Sequence, residues 1–435
     1  MPNSNPKKPS LESLPQDYVS EEKKPSENQP NRWNHRLHFS IHTFSAFQHK
    51  NYRFLWASAL WVAGGYWIQQ IVIGWLIYDI TNSAFLTSVA MGLEAIPILI
   101  AGPIGGFLVD VFDRRKLLVS ICLYHGLLAM ALAIGLLLWE IGPLEIFTFT
   151  LLVGFSWVIS EPARSAVIAN TVPKEGLLNA FALITLGWGG ARLVVPAIGG
   201  LLISIYGAHA ALIAESILML TAAFFAAMIR MNEKEREKAR ISKVVSGLLE
   251  GARYVRDNRV ILALLTFSIA PPLVIFPFVY GLLPVYAAEV YQVGATGLGI
   301  LMSASGIGMI LGTTIVASLG NLRSKGKLIV IGVASTIFLM AMLSQTPWFL
   351  GGFGILVFIG LFTPVVHTAV QAAIQSAIPD HLRGRISGFS IVTWGAFPMG
   401  SLLAGWLAQT LDVQTSTFYG ALLMGIVLIA QIVTF

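Results

Sequence analysis

Twelve long runs of apolar residues constrain this chain more than any other feature of its sequence. They fall approximately at 55–78, 85–109, 117–139, 146–170, 180–205, 209–229, 260–287, 295–319, 328–345, 348–371, 386–410 and 415–435. A helix needs roughly 20 residues to cross about 30 Å of hydrocarbon. Only 11% of the residues are charged, against about 25% in soluble domains. We therefore predict an all-α integral membrane protein with twelve spans, since barrel strands are much shorter.

The positions of the basic residues predict how these spans are oriented. Of the 28 Lys and Arg residues, all except Arg164 and Arg192 precede span 1 or follow an even-numbered span. Basic loops are retained in the cytoplasm, so we expect the N-terminus and the loop after span 6 to be cytoplasmic. The formal net charge of +6 follows from these loops. Because the basic residues flank membrane spans instead of forming a separate face, we expect no nucleic-acid partner.

Composition divides the chain into four segments. Residues 1–43 are rich in Pro, Ser, Asn, Glu and Lys, so we expect a disordered cytoplasmic tail. Residues 44–229 would form an N-terminal six-helix bundle, and residues 260–435 a C-terminal one. The charged stretch 230–259 would be the cytoplasmic linker between them.

A weak internal repeat favours the division into two bundles. Shifting the chain by 206 residues places Gly154 on Gly360 and Trp188 on Trp394. Each pair falls at the same place in the corresponding span of its half. Two parallel six-helix repeats are typical of a large class of secondary transporters.

Six motifs, in order along the chain, resemble the major facilitator superfamily. They are FSAFQHKNYRFLW at 44–56, WLIYDITNSAF at 75–85, GGFLVDVFDRRKLL at 105–118, EPARSAVIANTVP at 161–173, ARLVVPAIGGLL at 191–202 and IPDHLRGRISG at 378–388. Within the superfamily the chain resembles the bacterial drug and siderophore exporter branch that includes the enterobactin exporter. The resemblance implies the major facilitator fold, with two six-helix pseudo-repeats and spans 1, 4, 7 and 10 around a central cavity.

The same resemblance implies a secondary active transporter that works by alternating access. We expect proton-coupled export of a small amphiphilic or hydrophobic organic molecule, a drug or a siderophore-like compound. A proton-coupled uptake symporter and a lipid or lysolipid flippase are the alternatives. The sequence has no HExxH, no nucleophile elbow and no phosphate-binding loop, which argues against an enzyme or an ATP-driven permease. We expect a monomer in the bacterial inner membrane, driven by the proton gradient and without a metal or other cofactor.

The charged turn between spans 2 and 3 predicts a joint that moves. Asp110 ends span 2, where the helix dipole disfavours an acid by about 0.3–1 kcal/mol, so it needs another partner. Span 11 would begin on the same side of the membrane, just after Arg383 and Arg385. We expect Asp110 to latch the two halves together there, as the resemblance also implies, or else the charges only fix topology. The other members of this predicted latch are Gly106, Asp113, Arg114 and Arg115.

Span 5 carries a glycine and proline pattern that the resemblance associates with exporters. Its residues are Gly190, Pro196, Gly199 and Gly200. Glycines in membrane helices also allow close packing, and the two explanations are compatible.

Each ionisable side chain inside a span costs about 2.5–3.5 kcal/mol on insertion scales and so needs a reason. Glu161 and Arg164 are spaced i, i+3 and can pair. Because the resemblance implies that span 4 lines the cavity, Glu161 is the first candidate for proton exchange, with a static ion pair as the alternative. Glu94, near the midplane of span 2, is the second. Arg192 would pair with either acid or hold an anionic substrate group, and we expect a structural or interfacial role for Glu215.

Aromatic rings with a few polar groups mark the expected substrate cavity. The candidates are Trp67, Gln70, Phe276, Tyr280, His367 and Gln371. Such walls suit an amphiphilic or hydrophobic ligand, while aromatic core packing and hydrogen-bonded packing of His367 are the alternatives. Clustered prolines in span 7 predict a bendable helix.

Overall fold

The structure is a computed structural model that describes residues 44–230, 255–319, 325–378 and 393–434. These residues form helices and no strand, and eleven of the helical stretches are long and apolar enough to cross a membrane. They correspond to predicted spans 1–10 and 12. Of span 11, the turn Thr393–Ala396 and the helix Phe397–Thr410 are described. The tail 1–43, most of the linker, Arg383 and Arg385 lie outside the described residues.

The helices keep the numbers of the predicted spans. In the first half they are Lys50–Thr81 for span 1, Ala84–Leu93 and Ile96–Val111 for span 2, Arg114–Leu138 for span 3, Pro143–Thr171 for span 4, Leu177–Tyr206 for span 5 and Ala208–Ala227 for span 6. In the second half they are Arg259–Ala270, Pro271–Gly281, Leu283–Val285 and Tyr286–Val290 for span 7, Gly294–Leu319 for span 8, Lys325–Ser344 for span 9, Phe349–Ala377 for span 10, Phe397–Thr410 for span 11 and Val413–Thr434 for span 12. We call the end of the bundle where span 1 begins the N-terminal face, and the other end the far face.

Two spans depart from regular α-helix where proline removes a backbone donor. Span 2 is interrupted between Leu93 and Ile96, and Pro97 cannot donate to the carbonyl of Leu93. Glu94 lies in this break. Span 7 is π-helical over Pro271–Gly281 and Tyr286–Val290, a geometry frequent at functional sites. Both irregular segments lie midway along their spans or towards the far face.

The two halves are joined by hydrogen bonds at the far face. The Tyr78 hydroxyl donates to Glu289 Oε1 at 2.7 Å, the Ser83 hydroxyl to Gln409 Oε1 at 2.7 Å and the Thr296 hydroxyl to Ser204 Oγ at 2.8 Å. In each bond one partner belongs to spans 1–6 or their loops and the other to spans 7–12. The bundle is therefore closed at this face.

Spans 5 and 8 pack closely across the boundary between the halves because glycines line their contact. A Cβ atom on Gly306 would lie 2.7 Å from Leu193 Cα, and one on Gly299 would collide with the carbonyl of Pro196. On span 5, Gly200 meets the backbone of Ala295 in the same way. A side chain at any of these positions would force the two helices apart.

Candidate functional site

A buried arginine lies at the centre of the bundle, where the halves meet. Arg192 is 8% exposed, and its Nε donates to Ser305 Oγ at 2.9 Å. Its guanidinium carbon lies 4.8 Å from the ring centroids of both Trp67 and Tyr280. Within the described residues no acid lies within ion-pair distance of it. Of the two roles expected for Arg192, pairing with Glu94 or Glu161 is not seen in the described residues, and aromatic faces on spans 1 and 7 contact the guanidinium instead. A role in holding an anionic substrate group stays a prediction.

Several buried polar atoms near this arginine lack a hydrogen-bond partner in the described part of the chain. They are the indole nitrogens of Trp67 and Trp157, the Tyr280 hydroxyl, both side-chain polar atoms of Gln69, and Glu94 Oε1. A buried polar atom of this kind usually bonds protein, water or a ligand. These groups are available as donors and acceptors to a bound water or ligand.

Glu94 lies in the break of span 2 and is buried. Its Oε2 accepts from Gln70 Nε2 at 2.6 Å. The Gln69 and Trp157 side chains approach the same carboxylate, but their contacts do not meet the full geometry of a hydrogen bond. Tyr66 interacts electrostatically with both Glu94 and Arg192. The second coupling candidate and the buried arginine therefore share one neighbour.

Aromatic rings on both halves surround these polar groups. In the first half, Tyr66 packs edge-on against Trp67 and Trp157, with centroids 5.0 and 4.9 Å apart. In the second half, Phe276 packs against Tyr280 at 5.6 Å and Trp394 at 4.9 Å. The site thus combines apolar walls with one cation and one acid, as an amphiphilic ligand would require.

The Glu161–Arg164 pair forms separately on span 4. Arg164 Nη1 donates to Glu161 Oε1 at 2.6 Å, and Nη2 donates to Ser160 Oγ at 3.0 Å. Arg164 is buried and lies over the Trp188 ring at 5.3 Å, whereas the Glu161 side chain is 55% exposed. The acid chosen first from the sequence is thus the accessible end of an ion pair.

Two cavity candidates on span 10 lie apart from this group. His367 is exposed and Gln371 is half-buried. No hydrogen bond or ring contact joins either of them to Arg192 or Glu94 in the ranges the structure covers. Trp67, Gln70, Phe276 and Tyr280 are brought together, and the span 10 pair is not.

The predicted latch residues lie on the N-terminal face, where most of them contact the first half. Asp113 caps span 3 by accepting from the Lys116 backbone at 2.8 Å, directly before Arg114, the first helical residue. Arg115 donates to the Ala227 carbonyl at the end of span 6. Asp110 is exposed and has no hydrogen bond or ion pair with the described residues. The latch itself stays a prediction, because Arg383 and Arg385 are outside those residues.

The predicted exporter pattern of span 5 is divided between two neighbours. Gly199 faces span 1, where a Cβ atom would lie 2.9 Å from Ile71 Cγ2, and Gly200 faces span 8. Pro196 is buried, and its carbonyl meets Gly299. A Cβ on Gly190 would meet nothing within 4 Å. Three of the four residues therefore serve close packing.

One buried pair was missed by sequence reasoning. His125 Nε2 on span 3 lies 3.0 Å from Glu215 Oε1 on span 6, and both residues are buried. The sequence interpretation passed over His125 and gave Glu215 a structural or interfacial role. A titratable residue inside an apolar run was the available signal for both, but their pairing depends on how spans 3 and 6 face each other.

Comparisons with known proteins agree with this geometry. Residues 41–434 match the family model MFS_3, described as transmembrane secretion effector. The chain is 25% identical over 394 residues to the multidrug efflux pump Tap of Mycolicibacterium fortuitum, covering 85% of this chain and 93% of that protein. It is 23% identical over 356 residues to macrolide efflux protein A of Streptococcus pyogenes, covering 80% and 86%.

Two further similarities concern the branch and the fold. The enterobactin exporter EntS of Shigella flexneri is 23% identical over 366 residues, covering 82% of this chain and 85% of that protein. A crystal structure of a mutant nucleoside transporter NupG matches with a TM-score of 0.71 at 14% identity, covering 88% of this chain and 100% of that chain. The predicted all-α transporter fold is confirmed.

Proposed function

Because residues 41–434 place this chain in the transmembrane secretion effector family of the major facilitator superfamily, we propose that it exports a small amphiphilic organic molecule in exchange for protons. The family and the relatives are transporters and not enzymes. The relatives are bacterial efflux proteins, and the chain is a multi-pass protein of the cell membrane. We propose that it works as a monomer, without metal, cofactor or nucleic acid.

The basic loops support a cytoplasmic N-terminal face. In the sequence, the Lys and Arg residues outside the spans precede span 1 or follow even-numbered spans, and basic loops of this kind are retained on the cytoplasmic side. The far face, closed by the Tyr78–Glu289 hydrogen bond, is then the external one. In this orientation the structure is closed to the outside, and its central site would receive cargo from the cytoplasm.

The observation that carries the proposal is the position of Arg192 between the halves. Its contacts are Trp67 in the first half and Tyr280 and Ser305 in the second. Alternating access requires a binding site whose two walls belong to different moving bodies, because only then does binding energy differ between the open states. Separation of the halves at the far face would break two of the three contacts that Arg192 makes.

The chemistry of the site supports a particular kind of cargo. A guanidinium presents several donors to carboxylate, phenolate or carbonyl oxygens, while Trp67, Tyr280 and Phe276 offer apolar faces. A molecule with an aromatic or aliphatic frame and one acceptor-rich group fits both. Two relatives are named as a macrolide efflux protein and an enterobactin exporter, so a macrolide and enterobactin are the first compounds to test.

Transport by the full chain in proteoliposomes tests the proposal. A radiolabelled macrolide and radiolabelled enterobactin are offered with and without an imposed pH gradient. We expect accumulation of at least one probe that requires the gradient and collapses with an uncoupler. Movement of both probes that ignores the gradient would refute proton-coupled export.

Arg192→Gln tests the site itself, because glutamine keeps hydrogen-bonding capacity and removes the charge. We expect its apparent affinity for the transported probe to fall about tenfold or more, equivalent to about 1.4 kcal/mol. Ser305→Ala removes one neutral hydrogen bond to the same arginine and should have a smaller effect. Equal effects of the two substitutions would mean that only the orientation of Arg192 matters, and not its charge.

A further inference from the structure

A second buried polar group lies inside the first half, on spans that Arg192 does not contact. The imidazole of His125 on span 3 and the carboxyl of Glu215 on span 6 are 3.0 Å apart, and the residues are 2% and 0% exposed. A buried pair of this kind is often no more stable than apolar residues of the same volume. Stability alone therefore does not explain why this pair is present in an apolar bundle, and we looked for a functional role.

The hydrogen bonds around the pair indicate which atoms share a proton. The Ser156 hydroxyl donates to the Val153 carbonyl at 2.6 Å, so toward His125 Nδ1, at 3.5 Å, it offers only lone pairs. The hydrogen of a neutral imidazole is then placed on Nδ1. His125 Nε2 and Glu215 Oε1 are left facing each other with room for one proton between them. Glu215 Oε2 has no partner in the described ranges.

The proton between these atoms sets the charge of the pair. With it, the pair is neutral overall, whether the proton is drawn on nitrogen or on oxygen. Without it, one negative charge is left in the bundle, which is unfavourable unless another group compensates. Binding and release of this proton are therefore sensitive to the arrangement of neighbouring spans.

Spans 1, 2 and 4 pack around the His125–Glu215 pair, and spans 2 and 4 bring charged or polar side chains to it. Span 2 contributes Glu94, which interacts electrostatically with His125. Span 4 contributes Ser156 and Arg164, and the guanidinium of Arg164 interacts with the thiol of Cys122 on the same helix as His125. Span 1 faces span 6 with Gly65, against Met219. Among the described residues, Glu94 thus acts on His125 directly, and Arg164 acts on the neighbouring Cys122 of the same helix.

A small cavity lies beside His125, between spans 1, 3, 4 and 6. It is lined by His125, Ser156, Trp157 and Ser160, among others, and has room for about one water molecule. Ser160 Oγ accepts from Arg164, which pairs with the half-exposed Glu161. Span 4 runs toward the N-terminal face from Ser156 to Glu161. Hydrogen-bonding groups therefore extend from the buried pair in the direction of that face.

We propose that the His125–Glu215 pair holds the proton that this transporter exchanges for its cargo, and that the Glu161–Arg164 pair stands at the access route to it. The proton leaves the Nε2–Oε1 contact for water in the adjacent cavity and returns when the bundle opens at the far face. No other bond is made or broken. The inference rests on the proposed proton-coupled export and moves the proton site away from Glu161.

The first test uses the proton itself as the probe and needs no cargo. The full chain in lipid vesicles is titrated with acid and base while the infrared carboxyl C=O and carboxylate stretches are recorded. We expect one component of the titrating signal to be missing in Glu215→Gln and to remain in Glu175→Gln, a control at an exposed acid. A titration of Glu215→Gln that matches the wild-type protein in both stretches would overturn the proposal.

The second test separates this inference from the proposed function. With the macrolide and enterobactin probes, Glu215→Gln should lose gradient-driven accumulation about tenfold or more, while exchange of labelled for unlabelled probe continues. If Glu215→Gln does not fold, His125→Gln replaces it in the test. This variant keeps a polar side chain, and we expect the same loss of gradient-driven accumulation. Gradient-driven accumulation at the wild-type level in a folded variant overturns the inference alone. A wild-type protein without gradient-driven accumulation overturns the proposed function.

Discussion

Replacement of Tyr78 by phenylalanine removes one hydroxyl from the closed far face and nothing else. That hydroxyl donates to Glu289 Oε1 at 2.7 Å, and the bond joins span 1 to span 7. A hydrogen bond to a charged group contributes about 1.5–3 kcal/mol when its partners are buried. Glu289 is exposed, so water replaces part of the bond and we expect about 1 kcal/mol. The ratio of far-face-open to far-face-closed protein should then rise about fivefold.

Distance measurements between spin labels check this ratio directly. Cysteines at Glu140 and Gln345, both exposed in far-face loops of different halves, carry the labels. The single native cysteine, Cys122, is buried and is replaced by alanine. We expect Tyr78→Phe to increase the population at long distance about fivefold relative to the same labelled protein with Tyr78.

Tyr286→Phe is the matched control. The Tyr286 hydroxyl donates to Thr417 Oγ1 at 2.9 Å, and both residues belong to the second half. The same atom is deleted from a buried bond, but the deletion does not distinguish the open from the closed state. A shift in Tyr286→Phe as large as that in Tyr78→Phe would refute the reasoning, as would an unchanged distribution in Tyr78→Phe.

Three further predictions concern packing and the charged turn. All three use the buried Cys122 thiol as a reporter of unfolding, since a thiol-reactive dye reaches it only in the unfolded protein. Gly306→Ala places a Cβ 2.7 Å from Leu193 Cα and should lower the melting temperature through about 1–3 kcal/mol of overpacking. Gly190→Ala meets nothing within 4 Å, and an equal loss there would contradict the packing argument. Asp113→Ala removes the cap of span 3 and should cost about 1 kcal/mol. Asp110→Asn should leave the melting temperature unchanged while transport slows, and full transport would reduce Asp110 to a marker of topology.

Features that depend on one span could be predicted from the sequence. The number and approximate limits of the spans follow from apolar length, and the Glu161–Arg164 pair follows from i, i+3 spacing on one helix. Proline positions pointed to the irregular span 7. Each of these inferences needs only local geometry, so no knowledge of how the helices pack was required.

Features that depend on two spans could not be predicted in the same way. His125 faces Glu215, and Arg192 faces Trp67 and Tyr280, because of how their helices are rotated in the bundle. In a soluble helix, an apolar stripe along one side indicates which side faces the core. Spans 3 and 6 are apolar on nearly all sides, so their sequences do not indicate which side faces which neighbour. The sequence therefore left open whether Arg192 pairs with an acid or holds an anionic substrate group, and it gave no sign of the aromatic faces that contact it.

The break in span 2 lies between span 11 and the proposed cargo and proton sites. On one side of Glu94, a Cβ at Gly92 would lie 2.5 Å from Ser401 Oγ of span 11 in the second half. On the other side, span 4 packs closely against the same segment. A Cβ atom on Gly154 of span 4 would lie 2.5 Å from the Glu94 carbonyl oxygen. The backbone that carries Glu94 is therefore packed between span 11 and span 4, where movement of span 11 would change its contacts. Because this acid bonds Gln70 and interacts with His125, the same movement would change the field at both proposed sites, as coupled exchange requires.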